Sequence, residues 1–92
     1  MKTIYKYTLT GNKPRRKIYA PITKILCVQV QNGEVCLWAE VDTEQEDRVI
    51  DVLLVGTGWN LDEVKDIFKY YTYIGTVQQH MLVWHCYYRV ER

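Results

Sequence analysis

Apolar and polar positions alternate with a period of two over most of this chain, and breaks in that alternation mark its turns. Thr3, Tyr5, Tyr7 and Leu9 alternate with Ile4, Lys6 and Thr8, and the β-branched and aromatic content suits a pleated surface, so residues 3–9 predict a first strand. Gly11-Asn12-Lys13-Pro14 ends it, because glycine and asparagine favour turns and proline donates nothing to a ladder. Pro21 interrupts again, which leaves at most a short extended piece around Ile18–Ile22.

The strongest local pattern is Ile25–Val41, two alternating apolar runs joined by Asn32-Gly33. Asn-Gly supplies the two positive φ angles of a type I′ turn, and a two-residue loop sets the register. Gln31 should face Glu34, Val30 face Val35, Val28 face Leu37 and Leu26 face Ala39, which places six apolar residues on a core face. The opposite face carries Cys27, Gln29, Cys36, Trp38 and Glu40.

Asp42–Asp47 is acidic and has no apolar residue, as a solvated loop requires. Residues 48–55 follow with Val52-Leu53-Leu54-Val55 apolar on both faces, the signature of a central strand. Gly56-Thr57-Gly58 turns the chain, and Asn60 with Glu63 forms a capping-box pattern ahead of Leu61, Val64, Ile67 and Phe68 at helical spacing. A helix over 61–69 is expected, too short to stand without a sheet beneath it. Tyr71–Gln78 and Met81–Val90 predict a closing β pair. Gln79-His80 lacks the residues of a tight I′ loop and points to a four-residue turn or a bulge. In the last strand Leu82, Trp84, Cys86, Tyr88 and Val90 point one way, and Val83, His85, Tyr87 and Arg89 the other. The expected fold class is α+β: a mainly antiparallel sheet of about five strands with one short helix packed on it, in one domain over 1–92.

Size and composition narrow the function. Ninety-two residues, 48% hydrophobic and 25% charged, describe one small globular domain with little room for a deep cofactor pocket. Three cysteines with no CxxC or CxxH spacing argue against a disulfide framework or structural zinc and for a reducing, cytoplasmic setting. No signal-peptide run or membrane span is evident, so no membrane partner is expected. The net charge of +1 hides an asymmetry: residues 1–33 hold seven basic residues and no acid, whereas 34–66 hold ten acids against Arg48 and Lys65. The near-zero total disfavours an acidic DNA mimic.

Lys2-Thr3-Ile4-Tyr5-Lys6-Tyr7, the hairpin with Asn32-Gly33 and Leu37-Trp38-Ala39, Gly56-Thr57-Gly58, and Tyr73-Ile74-Gly75-Thr76-Val77-Gln78 before Leu82-Val83-Trp84-His85 together resemble an uncharacterised small-protein family of tailed phages and prophages. The resemblance spans nearly the whole chain. It departs between Gly58 and Tyr73, where the family pattern has a short proline-containing link. It implies a phage accessory protein made in a host cytoplasm and transfers no functional residue.

Catalytic constellations are not evident. His85 and Cys86 are adjacent on a strand and therefore face opposite ways, which excludes a thiolate–imidazole dyad. Cys27 and Cys36 are diagonal across the hairpin, and with His85 they reach a metal only if the terminal strand lies beside them. Asp51, in an apolar strand, calls for a Lys or Arg partner. Gly56-Thr57-Gly58-Trp59-Asn60 lacks the spacing of a phosphate loop. The strongest binding feature is the basic loop Lys13, Arg15, Arg16 and Lys17 followed by Tyr19, suited to phosphates or an acidic protein face. Eight tyrosines exceed what so small a core absorbs, and Tyr70 and Tyr71, with Trp59, join the basic loop as candidate binding residues.

The leading expectation is a non-enzymatic phage accessory protein, without cofactor, that binds a host protein or ribonucleoprotein complex as an inhibitor of bacterial antiphage defence, in the manner of an anti-CRISPR. The alternatives are a nucleotide or RNA binding module using the basic loop and exposed tyrosines, and a virion or assembly component that self-associates, a homodimer being the simplest case.

Overall fold

A computed structural model describes residues 1–11, 13–62 and 67–91. Seven strands run in chain order as β1 (Lys2–Leu9), β2 (Arg15–Ala20), β3 (Ile22–Gln31), β4 (Glu34–Asp42), β5 (Arg48–Gly56), β6 (Thr72–Gln79) and β7 (Leu82–Glu91), with one helical segment, α1 (Ile67–Tyr70), before β6. They form two antiparallel sheets, one ordered β1-β4-β3 and the other β2-β5-β7-β6.

This corrects the α+β expectation of a single five-stranded sheet under a helix: the protein is an all-antiparallel β structure of two sheets with three and four strands. Each sheet has a full apolar face, and these two faces cover each other. Val28, Val35, Leu37, Ala39 and Val41 from the first meet Ile50, Val52, Leu54, Val77, Trp84 and Cys86 from the second in one core. The helix expected over 61–69 lies partly outside the described residues. Within them, Leu61 and Asp62 are not helical, the Asn60 Oδ1 that accepts the Asp62 N–H at 2.9 Å makes an Asx turn, and only Ile67–Tyr70 are helical.

The basic segment expected as a loop is instead the start of β2, and Pro21 is a corner. Strands β2 and β3 belong to different sheets and meet at Pro21, whose carbonyl accepts the Asp42 N–H at 3.0 Å. Proline fits there because its missing N–H is not needed between two ladders. Ala20 and Ile22 on either side are buried, so the bent chain fills the corner with core.

The β3–β4 hairpin follows its expected register from Gln31↔Glu34 to Val28↔Leu37, and Asn32 and Gly33 both have positive φ. A bulge between Ile25 and Cys27 then replaces the expected Leu26↔Ala39 pair with Ile25↔Ala39, and Leu26 is pushed out to solvent. Bulges re-aim side chains in this way, and alternation alone does not reveal them. The β6–β7 connection is tighter than expected. Gln79 pairs with Leu82, leaving the two residues His80 and Met81, with His80 at φ 55. Histidine is among the non-glycine residues enriched in that region, which is why the absence of Asn or Gly misled.

Strand β5 lies between β2 and β7 and is buried on both faces, as its unbroken apolar run requires. In β7, Trp84 and Cys86 enter the core while His85, Tyr87 and Arg89 take the outer face. Leu37 is fully buried at the centre of the sandwich. Leu37→Ala should therefore lower the unfolding free energy by about 2–5 kcal/mol, measured by urea denaturation, whereas Leu26→Ala on the exposed bulge should change it by less than about 1 kcal/mol.

Candidate functional site

Strand alternation divides the basic segment between two surfaces. Arg15, Lys17 and Tyr19 stand opposite Leu53, Asp51 and Val49 on the outer face of the four-stranded sheet, while Arg16 and Ile18 stand opposite the core residues Val52 and Ile50. Arg16 turns back on its own loop, donating from Nη2 to the Gly11 carbonyl at 3.0 Å and from Nε to the Lys13 carbonyl at 3.2 Å. Burial lowers its guanidinium from the ordinary value, an effect that Glu34 opposes. Arg16 thus supports the β1–β2 loop.

Strands β1 and β2 are outer strands of different sheets, and a cleft of about 610 Å³ opens between them. Lys6, Tyr7, Thr8 and Leu9 of β1 line one side, and Lys13, Arg15, Arg16, Lys17 and Ile18 the other. Among the described residues, five cations and no acid line it. Elsewhere the basic and acidic stretches cancel across the ladders, as in Lys2↔Asp42 and Lys24↔Glu40. The N-terminal ammonium also sits 3.7 Å from Asp42, at the end of β4 away from the cleft. Lys6, which the sequence reading did not single out, joins the basic set only because β1 forms the facing wall. Its Nζ donates to Gln31 Oε1 at 2.6 Å.

Behind β2 lies a buried polar cluster. Asp51 is 3% exposed. Its Oδ2 accepts a short hydrogen bond from the Tyr71 hydroxyl, and its Oδ1 lies 4.0 Å from Arg15 Nε. Arg15 Nη2 donates to the Tyr71 hydroxyl at 3.4 Å, and the Arg89 guanidinium stands 5.4 Å over the Tyr71 ring. Asp51 Oδ1 and Arg89 Nε are buried without a hydrogen-bond partner. The Arg partner that Asp51 was expected to need is Arg15, while Tyr71 arrives from beyond β5 in sequence and no local pattern announces it. Lys17 stands 3.1 Å from Glu91, and the hydrogen bond to Glu91 raises its ammonium from the ordinary value.

A second chain of polar groups crosses the same outer face. Thr57 Oγ1 and His85 Nε2 are 2.7 Å apart, His85 Nδ1 and Thr76 Oγ1 3.1 Å, and Thr76 Oγ1 and the Tyr73 hydroxyl 2.5 Å. A hydroxyl next to an imidazole is the nucleophile–base pair of a triad, yet the second ring nitrogen meets a hydroxyl where the triad has a carboxylate to stabilise the imidazolium. The arrangement ties the turn after β5 to β7 and β6.

The remaining candidates do not converge. Tyr19 is exposed on β2, Tyr70 is exposed at the end of α1, and Trp59 sits at the opposite end of β5, edge-on to Trp84 with ring centroids 5.7 Å apart. Trp59 also occupies the space beside Gly56, where an added Cβ would come within 2.6 Å of its Nε1. These aromatics form no common stacking platform. Cys27 and Cys36 stay diagonal on the outer face of the three-stranded sheet, away from His85 on the other, and the described residues hold no group of three metal-binding side chains. Cys86 is buried in the core, which pushes its thiol up to about 12.

Burial first, and then the hydrogen bond to Asp51, raise the Tyr71 phenol above its ordinary value of 10.0. The folded state therefore holds this proton more tightly than the unfolded chain. Its stabilising contribution is complete below about pH 10 and falls as the pH rises through the folded value. Tyr71→Phe should show a shallower loss of stability above pH 10 than the parent, read from chemical denaturation at several pH values; parallel profiles would contradict the assignment. Tyr7, raised mainly by burial, contributes the same trend to both proteins.

The family described as a domain of unknown function, DUF7352, matches residues 1–92. No curated protein and no solved structure matches the chain. Among the described residues no helix is long and apolar enough to cross a membrane.

Proposed function

The chain belongs to the DUF7352 family, and from its geometry we propose that it is a non-enzymatic phage accessory protein, made in the host cytoplasm, that binds an acidic surface of a host protein. Inhibition of an antiphage defence complex is the role this reading assigns to that binding. The phage origin rests on the sequence resemblance. The binding mode rests on one observation: among the described residues, the cleft between β1 and β2 is lined by Lys6, Lys13, Arg15, Arg16 and Lys17 and by no acid.

Local chemistry supports binding over turnover. Among the described residues the Thr57–His85–Thr76 chain has no charged orienting group, the Cys86 thiol is held protonated by burial, and Asp51 is enclosed with Tyr71 and Arg15. The cleft, by contrast, holds more cations than the acids Glu91 and Asp51 that pair with Lys17 and Arg15, and the excess at Lys6 and Lys13 draws in an acidic partner and raises its association rate.

Lys6 and Lys13 test this best, because Arg15 and Arg16 also support Asp51 and the β1–β2 loop. Tagged protein expressed in its host should capture a stoichiometric protein, and the pair Lys6→Glu and Lys13→Glu should reduce that capture about tenfold or more while leaving the melting temperature within a few degrees. Capture unaffected by both reversals, or an eluate containing RNA and no protein, would overturn the reading.

A further inference from the structure

The cleft offers more than charge, because one of its walls is an unpaired strand edge. The Pro14 carbonyl accepts the Leu54 N–H at 2.7 Å, and this pair starts the β2–β5 ladder. Hydrogen-bonded and non-hydrogen-bonded pairs alternate along an antiparallel ladder. Arg16, Ile18 and Ala20 therefore bond to β5, and Arg15, Lys17 and Tyr19 turn their N–H and C=O groups away from it. Strand β2 ends its sheet, so nothing in either ladder pairs with that row. On the facing wall, the Thr43 N–H to Met1 carbonyl bond at 2.9 Å sets the same phase, and Lys6 and Thr8 turn their backbone groups outward.

Resting on the proposed binding role of this cleft, we infer that it receives an extended acidic segment of the partner, which adds to the free edge of β2 as a further strand. Three features select that occupant. A row of unpaired donors and acceptors is matched by another backbone, since a phosphate chain has no donors for the β2 carbonyls. The lysines and arginines beside the edge oppose a second copy of this chain, because like charges placed across a strand pair destabilise it while opposite charges support it. The cleft is also two-faced: Arg15 and Lys17 stand on the outer side of β2, while Ile18 points inward and lines the cleft with Leu9.

The expected ligand therefore alternates acidic and apolar residues. Its carboxylates lie beside Arg15 and Lys17, and its apolar side chains turn toward Ile18. Lys17 must exchange Glu91 for the incoming carboxylate, a replacement of one exposed ion pair by another that costs little.

The test uses the full chain and three synthetic peptides, measured by calorimetry and by amide hydrogen exchange: an alternating Glu/Val hexapeptide, a hexapeptide of the same composition with the glutamates and valines in separate blocks, and the alternating peptide N-methylated at every second residue. The alternating peptide should bind about tenfold more tightly than either control, the combined effect of two or three cross-strand pairs. It should slow exchange of the Arg15, Lys17 and Tyr19 amides while leaving Arg16 and Ile18 unchanged. Equal affinity for all three peptides would overturn the added strand and leave the acidic-partner reading standing. Absence of peptide binding while host capture remains sensitive to Lys6→Glu and Lys13→Glu would do the same. Loss of both peptide binding and charge-sensitive capture would overturn the two together, and tighter binding of a single-stranded RNA than of any peptide would replace the partner class.

Discussion

Burial of β5 on both faces is the constraint from which the rest of the architecture follows. On the inner side Ile50, Val52 and Leu54 demand a second apolar sheet, which β1, β3 and β4 supply. On the outer side Leu53 and Val55 are also removed from water, and Asp51 is buried beside Leu53 in the same row. A buried carboxylate is tolerated only with donors around it. The fold therefore brings Arg15 from the neighbouring strand β2 and Tyr71 from the segment ahead of β6 to the same point, with Arg89 close enough to cover the Tyr71 ring.

That requirement shapes the surface as well as the interior. Strand β2 must lie beside β5 to bring Arg15 to Asp51, and in doing so it becomes the terminal strand of its sheet. Its partner across the gap, β1, is terminal in the other sheet. The basic cleft is the space between two edges that do not meet. On the other side of the sandwich, β3 and β6 approach closely: a Cβ on Gly75 would lie 3.3 Å from Val28, and Gln79 Nε2 donates to the Gly33 carbonyl at 2.8 Å. The two seams therefore differ: the β3–β6 side is packed and the β1–β2 side is open.

Charge follows the same division. Basic β1 pairs with acidic β4 and cancels much of the imbalance found along the chain, as Lys2↔Asp42 shows. Lys6 and Lys13 escape that cancellation because they border the open seam. A net charge of +1 thus coexists with a strongly basic local field. Exposed cations along terminal strands also oppose pairing with another edge of like charge.

What the sequence alone determined is everything governed by short-range periodicity. It determined the strands over 3–9 and 48–55, the Asn32-Gly33 turn with its first register pairs, the two-sided character of β5, the opposed faces of His85 and Cys86, and the basic character of residues 13–17. Each depends on neighbours within a few residues, where alternation and turn chemistry act directly. Tertiary structure decided the rest: two sheets in place of one with a helix, Pro21 as a corner, the bulge that replaces Leu26 with Ile25, and the meeting of Asp51 with Tyr71 and Arg89. It also decided that Lys6 and Lys17 line one cleft while Arg16 folds back onto its own loop. The physical reason is that a strand's periodicity states which side chains share a face but not which other face will bury them. That choice is made only when two apolar surfaces find each other, and it also decides which strand edges are left over.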